Sequence, residues 1–196
     1  YNNIYVGGVN LWRTGDGGNS WSPSNMWTDN AGYNPPPGTP VVHADKHHVL
    51  FHPLLANTMY DCNDGGVFKS TNGGTTWTNL TNGIVNSQMY SISCAQTDPD
   101  VVLAGLQANG TIAHEQGSWG QVTGGDGMVC HIDPSNPNYA YASYSNGVLY
   151  RIDVAGSSVT TISDNLPGGQ QPGEWVTPYL LDPNNPAVIF AGYAGL

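Results

Sequence analysis

Hydrophobic residues fall in short runs that either alternate with polar residues or stay apolar for a few positions. Each run is bounded by Gly, Pro, Asn, Asp or Ser, which are the residues that form tight turns. A period of two indicates strands, because the apolar positions of a helix recur every 3.6 residues. No stretch shows convincing helical periodicity, so the pattern predicts an all-β protein.

One arrangement of strands recurs along the chain. An apolar strand, a turn that usually contains proline and a second apolar strand occur at residues 49–62, 91–105, 129–143 and 179–192. Aligned at Pro53, Gln96, Pro134 and Pro183, these segments lie about 40 residues apart. A Gly- or Asn-rich turn, a third strand and a shorter outer fourth strand complete the unit. Four strands in about 40 residues are typical of a β-propeller blade.

The repeat divides the chain into complete and partial blades. We expect complete blades at about 43–80, 87–122 and 126–162, part-blades at 1–21 and 174–196, and a loop at 22–42. A closed propeller usually has four to eight blades. The chain is therefore interpreted as one β-propeller domain or fragment, showing about four to five blades and joined covalently to further blades or domains. The alternative is a four-bladed ring closed by joining the two part-blades.

Two turns share the pattern Ser/Thr-x-Asp/Asn-x-Gly-x-Ser/Thr-Trp, at residues 14–21 and 70–77. The Asp or Asn side chain is expected to accept hydrogen bonds from backbone N–H groups one or two residues on. The Gly is expected to take a positive φ, and the Trp to fold back as an apolar plug between neighbouring sheets. The residues assigned to this structural role are Thr14, Asp16, Gly18, Trp21, Ser70, Asn72, Gly74 and Trp77.

These turns resemble the Asp-box, or BNR repeat, of sialidases, xyloglucanase-type glycosidases and sortilin-like receptors. The segment 43–147 also resembles secreted bacterial propellers called BNR-repeat glycosyl hydrolases or sortilin-like proteins. The matching sequence segments are HADKHHVLFHP, DGGVFKSTNGGTTWTNL, GLQANGT and GGDGM followed by IDPSNPN. The resemblance implies a secreted or cell-surface bacterial protein. Ala108 departs from it, because an acid is expected at that position.

The charge of the chain excludes several functions. The net charge is −10, and the four basic residues, Arg13, Lys46, Lys69 and Arg151, are scattered. Without a basic cluster, binding to nucleic acid or to an anionic membrane is not expected. Two arginines are too few for the three-arginine clamp of sialidases, so sialidase activity is not expected.

Two other features bear on where the protein works. There is no apolar run of 18 residues that could span a membrane. The sequence begins and ends inside the strand pattern, so we interpret it as a mature or partial piece of a longer secreted chain.

The residues that open the first strand of each unit form the candidate ligand site. Asp45, Gln88, Asp126 and Trp175 hold equivalent places in the alignment and are expected to line the central channel or its mouth. Asp45 and Asp126 are candidate catalytic acids, because glycosidases use two carboxyl groups about 5–10 Å apart. The alternative is that both carboxylates accept hydrogen bonds from nearby backbone N–H groups and hold loops. Further ligand-binding candidates are His43, His47, Glu174 and Trp27.

No metal or other cofactor is predicted. His43, Asp45 and His47 would share one face of a strand and are metal-ligand types. However, three such positions on a straight strand span roughly 13 Å, which is too far for a single ion. In the loop 22–42, Trp27 and Tyr33 could stack on a sugar or pack on a neighbouring domain.

Three functions remain open from the sequence. The leading prediction is a non-catalytic binding or display module for polysaccharide or protein. The first alternative is a glycoside hydrolase acting on a plant or algal polysaccharide, with Asp45 and Asp126 as its acids. The second is a structural module of a surface filament or adhesin.

Overall fold

A computed structural model describes residues 2–30, 34–84, 86–154 and 157–194. Tyr33 lies outside the described residues. In the described part, 17 strands form five antiparallel sheets, and each strand pairs with the next strand of its sheet along the chain. The only helical segments there are two short 3-10 turns, Ser145–Gly147 and Ser163–Asn165. No helix in this part has the length and hydrophobicity that a membrane crossing requires.

The first two sheets lie in one compact unit, Tyr1–Val85. The first sheet has three strands: β1 (Ile4–Gly7), β2 (Leu11–Thr14) and β3 (Ser22–Asn25). The second has four: β4 (Lys46–Phe51), β5 (Met59–Asn63), β6 (Gly66–Ser70) and β7 (Thr78–Asn79).

The other three sheets lie in a second unit, Asn86–Leu196. The third sheet comprises β8 (Met89–Cys94), β9 (Val102–Leu106), β10 (Gly110–Glu115) and β11 (Ser118–Thr123). The fourth comprises β12 (Gly127–Ile132), β13 (Tyr139–Tyr144), β14 (Val148–Asp153) and β15 (Ser158–Thr161). The fifth has only β16 (Tyr179–Leu181) and β17 (Ile189–Ala191).

These sheets confirm the predicted fold class. Three consecutive four-stranded antiparallel meanders, flanked by a three-stranded and a two-stranded sheet, are the blades of a partial β-propeller. Asp45, Gln88 and Asp126 each stand immediately before the first strand of a four-stranded sheet. The alignment on the proline turns therefore placed equivalent positions at equivalent ends of strands.

The prediction of a loop throughout 22–42 is wrong at its start, because β3 pairs with β2. The sequence of β3, Ser-Pro-Ser-Asn, lacks apolar residues, yet Ser24 and Asn25 are buried. Ser24 Oγ donates to the Gly74 carbonyl at 3.1 Å and Asn25 Nδ2 donates to Asp61 Oδ2 at 3.0 Å, whereas the buried Asn25 Oδ1 has no hydrogen-bond partner among the described residues. Polar residues can occupy a buried strand when their hydrogen bonds are made, and hydrophobic periodicity cannot reveal such a strand.

Within the second unit, the third and fourth sheets pack around a shared apolar core. Their shared core includes Leu103, Cys130, Ile132, Ala140, Ala142 and Ile152. Strand β12 lies at the edge of its sheet, and two serines of β8 accept hydrogen bonds from its backbone. Ser93 Oγ accepts from the N–H of Ile132 at 3.0 Å, and Ser91 Oγ from the N–H of Cys130 at 3.3 Å. These bonds satisfy edge groups that would otherwise be left without partners.

Candidate functional site

The two Trp-ended turns of the first unit have the same hydrogen bonds. The Thr14 hydroxyl accepts the N–H groups of Asp16 and Gly18 at 3.2 and 3.0 Å. In the second turn, the Ser70 hydroxyl accepts those of Asn72 and Gly74 at 3.3 and 2.8 Å. The hydroxyl at the first position of each turn therefore organises the backbone that follows it.

The carboxylate or amide of each turn closes its far end. Asp16 Oδ1 accepts the N–H of Ser20, and Asn72 Oδ1 accepts that of Thr76, both at 2.9 Å. These N–H groups lie four residues on, so the expectation of bonds one or two residues on is wrong. The nearer N–H groups are taken by the hydroxyls of Thr14 and Ser70.

Each tryptophan lies against its own turn. The indole N–H of Trp21 donates to the Gly18 carbonyl, and that of Trp77 to the Gly74 carbonyl, both at 3.1 Å. Both glycines have positive φ, 102° and 82°. Trp21 is 43% exposed, so its expected role as a buried plug between sheets is wrong. The bond to the glycine carbonyl holds its ring on the turn instead.

Hydrogen bonding also sets the charge state of Asp16. The hydroxyl of Ser20, then that of Thr14, donates to this carboxylate, and these bonds hold its pKa well below the usual range for Asp. Asn72 occupies the same place in the second turn without a charge. The two turns therefore differ in their dependence on pH.

The His-rich segment of the first unit does not assemble a ligand set. His43 lies against Gly65, and Asp45 is exposed with a φ of 60°. The largely exposed His47 imidazole pairs through Nε2 with Asp64. Among the described residues, no group of three or more His, Cys, Asp or Glu side chains could hold a metal ion.

Sequence reasoning missed a buried ion pair beside this segment. Lys46 Nζ lies 3.3 Å from Asp61 Oδ2, and both side chains are fully buried. Asn25 and Asn63 donate to the same carboxylate at 3.0 and 3.3 Å. Burial lowers the pKa of the Lys46 ammonium, and the carboxylate of Asp61 opposes that shift. A signal was available, since Met59, Asp61 and Asn63 alternate along β5 and share its buried face.

In the second unit, a turn after β9 joins two candidate residues. The Gln88 carbonyl accepts the Gln107 N–H at 2.9 Å. Asp126 Oδ1 accepts the N–H of Ala108 at 2.9 Å, and Ala108 has a φ of 53°. The Asp126 carboxylate therefore holds a backbone turn, which is the alternative role considered for it from the sequence.

The same turn lies beside an exposed aromatic pair. The indole N–H of Trp175 donates to the hydroxyl of Tyr90 at 3.3 Å, and that hydroxyl donates to Gln107 Oε1. Trp175 and Tyr90 are 47% and 38% exposed. Tyr90 belongs to β8 and Gln107 follows the neighbouring strand β9, whereas Trp175 precedes β16, so a remote segment joins one sheet here. We call Tyr90, Gln107 and Trp175 the aromatic cluster.

The other candidates lie outside the aromatic cluster. The backbone carbonyl of Glu174, next to Trp175, accepts the hydroxyl of Thr177 at 2.8 Å. Trp27 is exposed in the first unit, where its backbone N–H donates to Asn10 Oδ1 at 2.9 Å. Asp45 belongs to the first unit and Asp126 to the second, so their pairing as two catalytic acids stays a prediction.

No family model and no curated protein matches this chain. It is similar to solved structures of two GH74 enzymes. One is the xyloglucanase from Xanthomonas campestris (13% identity, TM-score 0.43) and the other is from Niastella koreensis (18%, TM-score 0.42). In each case 96% of this chain is covered and 33% of the other.

A third similar structure is the extracellular domain of a putative one-component system from B. thetaiotaomicron (15% identity, TM-score 0.42). The match covers 99% of this chain and 27% of that one. This chain thus spans only a quarter to a third of the length of these structures. Because the similarities are weak, the fold assignment rests on the strand pairing described above.

Proposed function

We propose that this protein is a secreted or cell-surface bacterial β-propeller of the Asp-box kind that binds polysaccharide without cleaving it. The observation that carries the proposal is the aromatic cluster. A Trp and a Tyr that remain more than a third exposed are held by hydrogen bonds at their polar edges. Their ring faces are thereby pre-positioned to stack on a sugar ring, at little further loss of side-chain freedom.

The surroundings of the aromatic cluster favour a polar, uncharged ligand. The Gln107 amide can donate hydrogen bonds to sugar hydroxyls. Charged residues make up only 9% of the chain, and the three side chains of the aromatic cluster are uncharged. A neutral polysaccharide satisfies both the aromatic faces and the amide, whereas a highly charged partner would find no counter-charge among them.

A binding role is favoured over catalysis by the position of Asp126. One oxygen of its carboxylate accepts the Ala108 N–H and so supports the turn that carries Gln107. We assign Asp126 to positioning this turn. The alternative hydrolase, with Asp45 and Asp126 as its acids, predicts a reaction that the binding proposal does not.

Affinity gel electrophoresis against a panel of neutral plant and algal polysaccharides tests the proposal. The wild type should be retarded by at least one polymer, and Trp175→Ala should weaken that retention at least about tenfold, because the main stacking surface is removed. Trp119→Ala is the matched control, since Trp119 is a 53% exposed indole on β11, outside the aromatic cluster. It should be retained like the wild type.

Other outcomes point to the other functions. Release of reducing sugar that Asp126→Asn abolishes would establish a hydrolase and overturn the non-catalytic proposal. Equal retention of Trp175→Ala and wild type would remove the aromatic cluster as the site. No retention on any polymer, together with self-assembly of the protein, would favour the structural module.

A further inference from the structure

We propose that a second site, in the first unit, binds the carboxylate group of an acidic sugar such as a uronic acid. The site is a cavity of about 450 Å³ between the first sheet and turns of the second. Its lining includes Asn3, Tyr5, Arg13, Ser22, Asn57 and Asn72. This proposal does not rest on the aromatic cluster, which belongs to the other unit.

Arg13 is the residue that selects the charge of the ligand. Its Nη1 donates to the Gly73 carbonyl at 3.3 Å, and the Tyr5 hydroxyl donates to the same oxygen at 2.9 Å. This fixes the half-buried guanidinium at the cavity wall while using one of its five N–H donors. The remaining donors include a planar fork of the kind that binds a carboxylate through two parallel hydrogen bonds.

No carboxylate of the described residues neutralises Arg13. The ion pairs found there are those of Lys46 with Asp61 and of His47 with Asp64. The neighbouring Asp16 is occupied by the hydroxyls of its own turn. An arginine that lines a cavity and has no acidic partner among the described residues can bind an external anion through its own charge, against the overall net charge of −10.

The rest of the lining identifies the anion as a sugar. Three asparagines, a tyrosine and a serine face the cavity, and its described lining contains no aliphatic side chain. Amides both donate and accept hydrogen bonds and therefore match the hydroxyl groups around a sugar ring. An acidic peptide would also present apolar groups, which this polar lining does not complement. The cavity volume also lies within the range of small-ligand sites.

Arg151 provides a matched comparison within the chain. Its guanidinium lies 4.3 Å from the centre of the Tyr139 ring, beside a smaller cavity of about 180 Å³ that Asp153 also lines. A carboxylate of the protein is already present there, so this second arginine is not expected to recruit an anion.

The experiment is an NMR titration of ¹⁵N-labelled protein with D-galacturonic acid and with its neutral methyl ester. The acid should shift the amide signals of Gly15 and Gly73 at the cavity wall, and the ester should bind at least about tenfold more weakly, since it lacks the charge-assisted bonds. Arg13→Gln should weaken binding of the acid by a similar factor. Arg151→Gln should leave the affinity unchanged, and 0.5 M NaCl should lower it.

Equal binding of acid and ester by the wild type would overturn the proposal, and this comparison needs no variant to fold. An unchanged affinity in Arg13→Gln would overturn it as well. Arg13→Lys keeps the charge but not the fork, so it should fall between the wild type and Arg13→Gln. If a Glu-rich peptide binds more tightly than tri-galacturonic acid, the site belongs to an acidic protein segment and the sugar assignment is wrong.

Discussion

At the scale of single residues, the two Trp-ended turns share the same backbone hydrogen bonds but differ in charge, because one contains Asp16 and the other contains Asn72. Asp16 and Asn72 accept the same N–H bond at 2.9 Å, so asparagine is a structural substitute for aspartate here. Only aspartate adds a charge whose hydrogen bonds strengthen when it is ionised. The depressed pKa of Asp16 therefore makes the first turn depend on pH.

The first prediction concerns Asp16→Asn. Because the pKa of Asp16 is lower in the folded state, ionised Asp16 stabilises the protein above the unfolded-state pKa near 4. This contribution is lost as pH falls through the lower folded-state pKa. The melting temperature of the wild type should exceed that of Asp16→Asn at pH 6, and the difference should shrink towards pH 2. Circular dichroism measures both.

The reverse substitution in the second Trp-ended turn is the control. Asn72→Asp should acquire a pH-dependent melting temperature over the same range, because the Thr76 N–H and the Ser70 and Thr76 hydroxyls already surround that position. A constant difference between wild type and Asp16→Asn across this range would contradict the account.

A second prediction at this scale concerns the buried Lys46–Asp61 pair. Lys46→Ala leaves the Asp61 carboxylate buried without its counter-ion, so the free energy of unfolding should fall by about 3–5 kcal/mol. Lys69→Ala is the control, because Lys69 is only half-buried, with Nζ 5.8 Å from the centre of the Tyr60 ring. It should lose about 1 kcal/mol or less. Urea unfolding compares them, and equal losses would refute the role of the pair.

At the scale of elements, the spacing of the blades in the second unit depends on glycine. A Cβ at Gly105 of β9 would overlap the Met128 carbonyl of β12, so the backbones of two neighbouring sheets approach each other there. By contrast, Gly120 of β11 has open space where its Cβ would stand. The two glycines thus lie in one sheet, but only Gly105 lacks room for a side chain.

The third prediction follows from this contrast. Gly105→Ala should lower the free energy of unfolding by about 1–3 kcal/mol, because the methyl group forces the sheets apart. Gly120→Ala should be neutral or slightly stabilising, since it removes freedom from the unfolded chain without a clash. Denaturant unfolding of the two variants decides the point. If Gly105→Ala were as stable as Gly120→Ala, the close approach of β9 and β12 would be wrong.

The strands also show which structural features a sequence pattern can predict and which it cannot. Strand alternation and turn residues located the four-stranded meanders, because both follow directly from the geometry of a pleated strand. They missed β3, whose buried Ser24 and Asn25 side chains donate hydrogen bonds to partners 50 and 36 residues away. They also did not anticipate that Trp21 would bond to its own turn. Such partners are set by tertiary structure, which a local pattern does not contain.

At the scale of the whole molecule, the repeated sheets place residues at the ends of their strands, and a few of these side chains are candidates for binding a ligand. The repeat predicts equivalent positions for Gln88, Asp126 and Trp175, and the first two each stand immediately before the first strand of a sheet, whereas Trp175 lies four residues before β16. The aromatic cluster itself was not predictable in full, because Tyr90 and Trp175 are 85 residues apart in sequence and meet only through the packing of sheets. Trp175 was identified by alignment, whereas Tyr90 and Gln107 were missed.

The sparse charge of the molecule gives the fourth prediction. Binding of a neutral polysaccharide at the aromatic cluster depends on stacking and uncharged hydrogen bonds, so raising NaCl from 0.05 to 0.5 M should leave retention nearly unchanged. Affinity electrophoresis in the two buffers measures this. A fall of tenfold or more would mean that charges, not the aromatic cluster, dominate binding.

The most direct test of the central claim, that Trp175 contacts polysaccharide, is the indole N–H region of the ¹⁵N NMR spectrum. The chain has six tryptophans, and the spectra of Trp175→Phe and Trp119→Phe identify the signals of these two residues. When an oligosaccharide of a retained polymer is added, that signal should shift in a saturable way, while the Trp119 signal stays in place. A saturable shift of other indole signals with none for Trp175 would contradict the account.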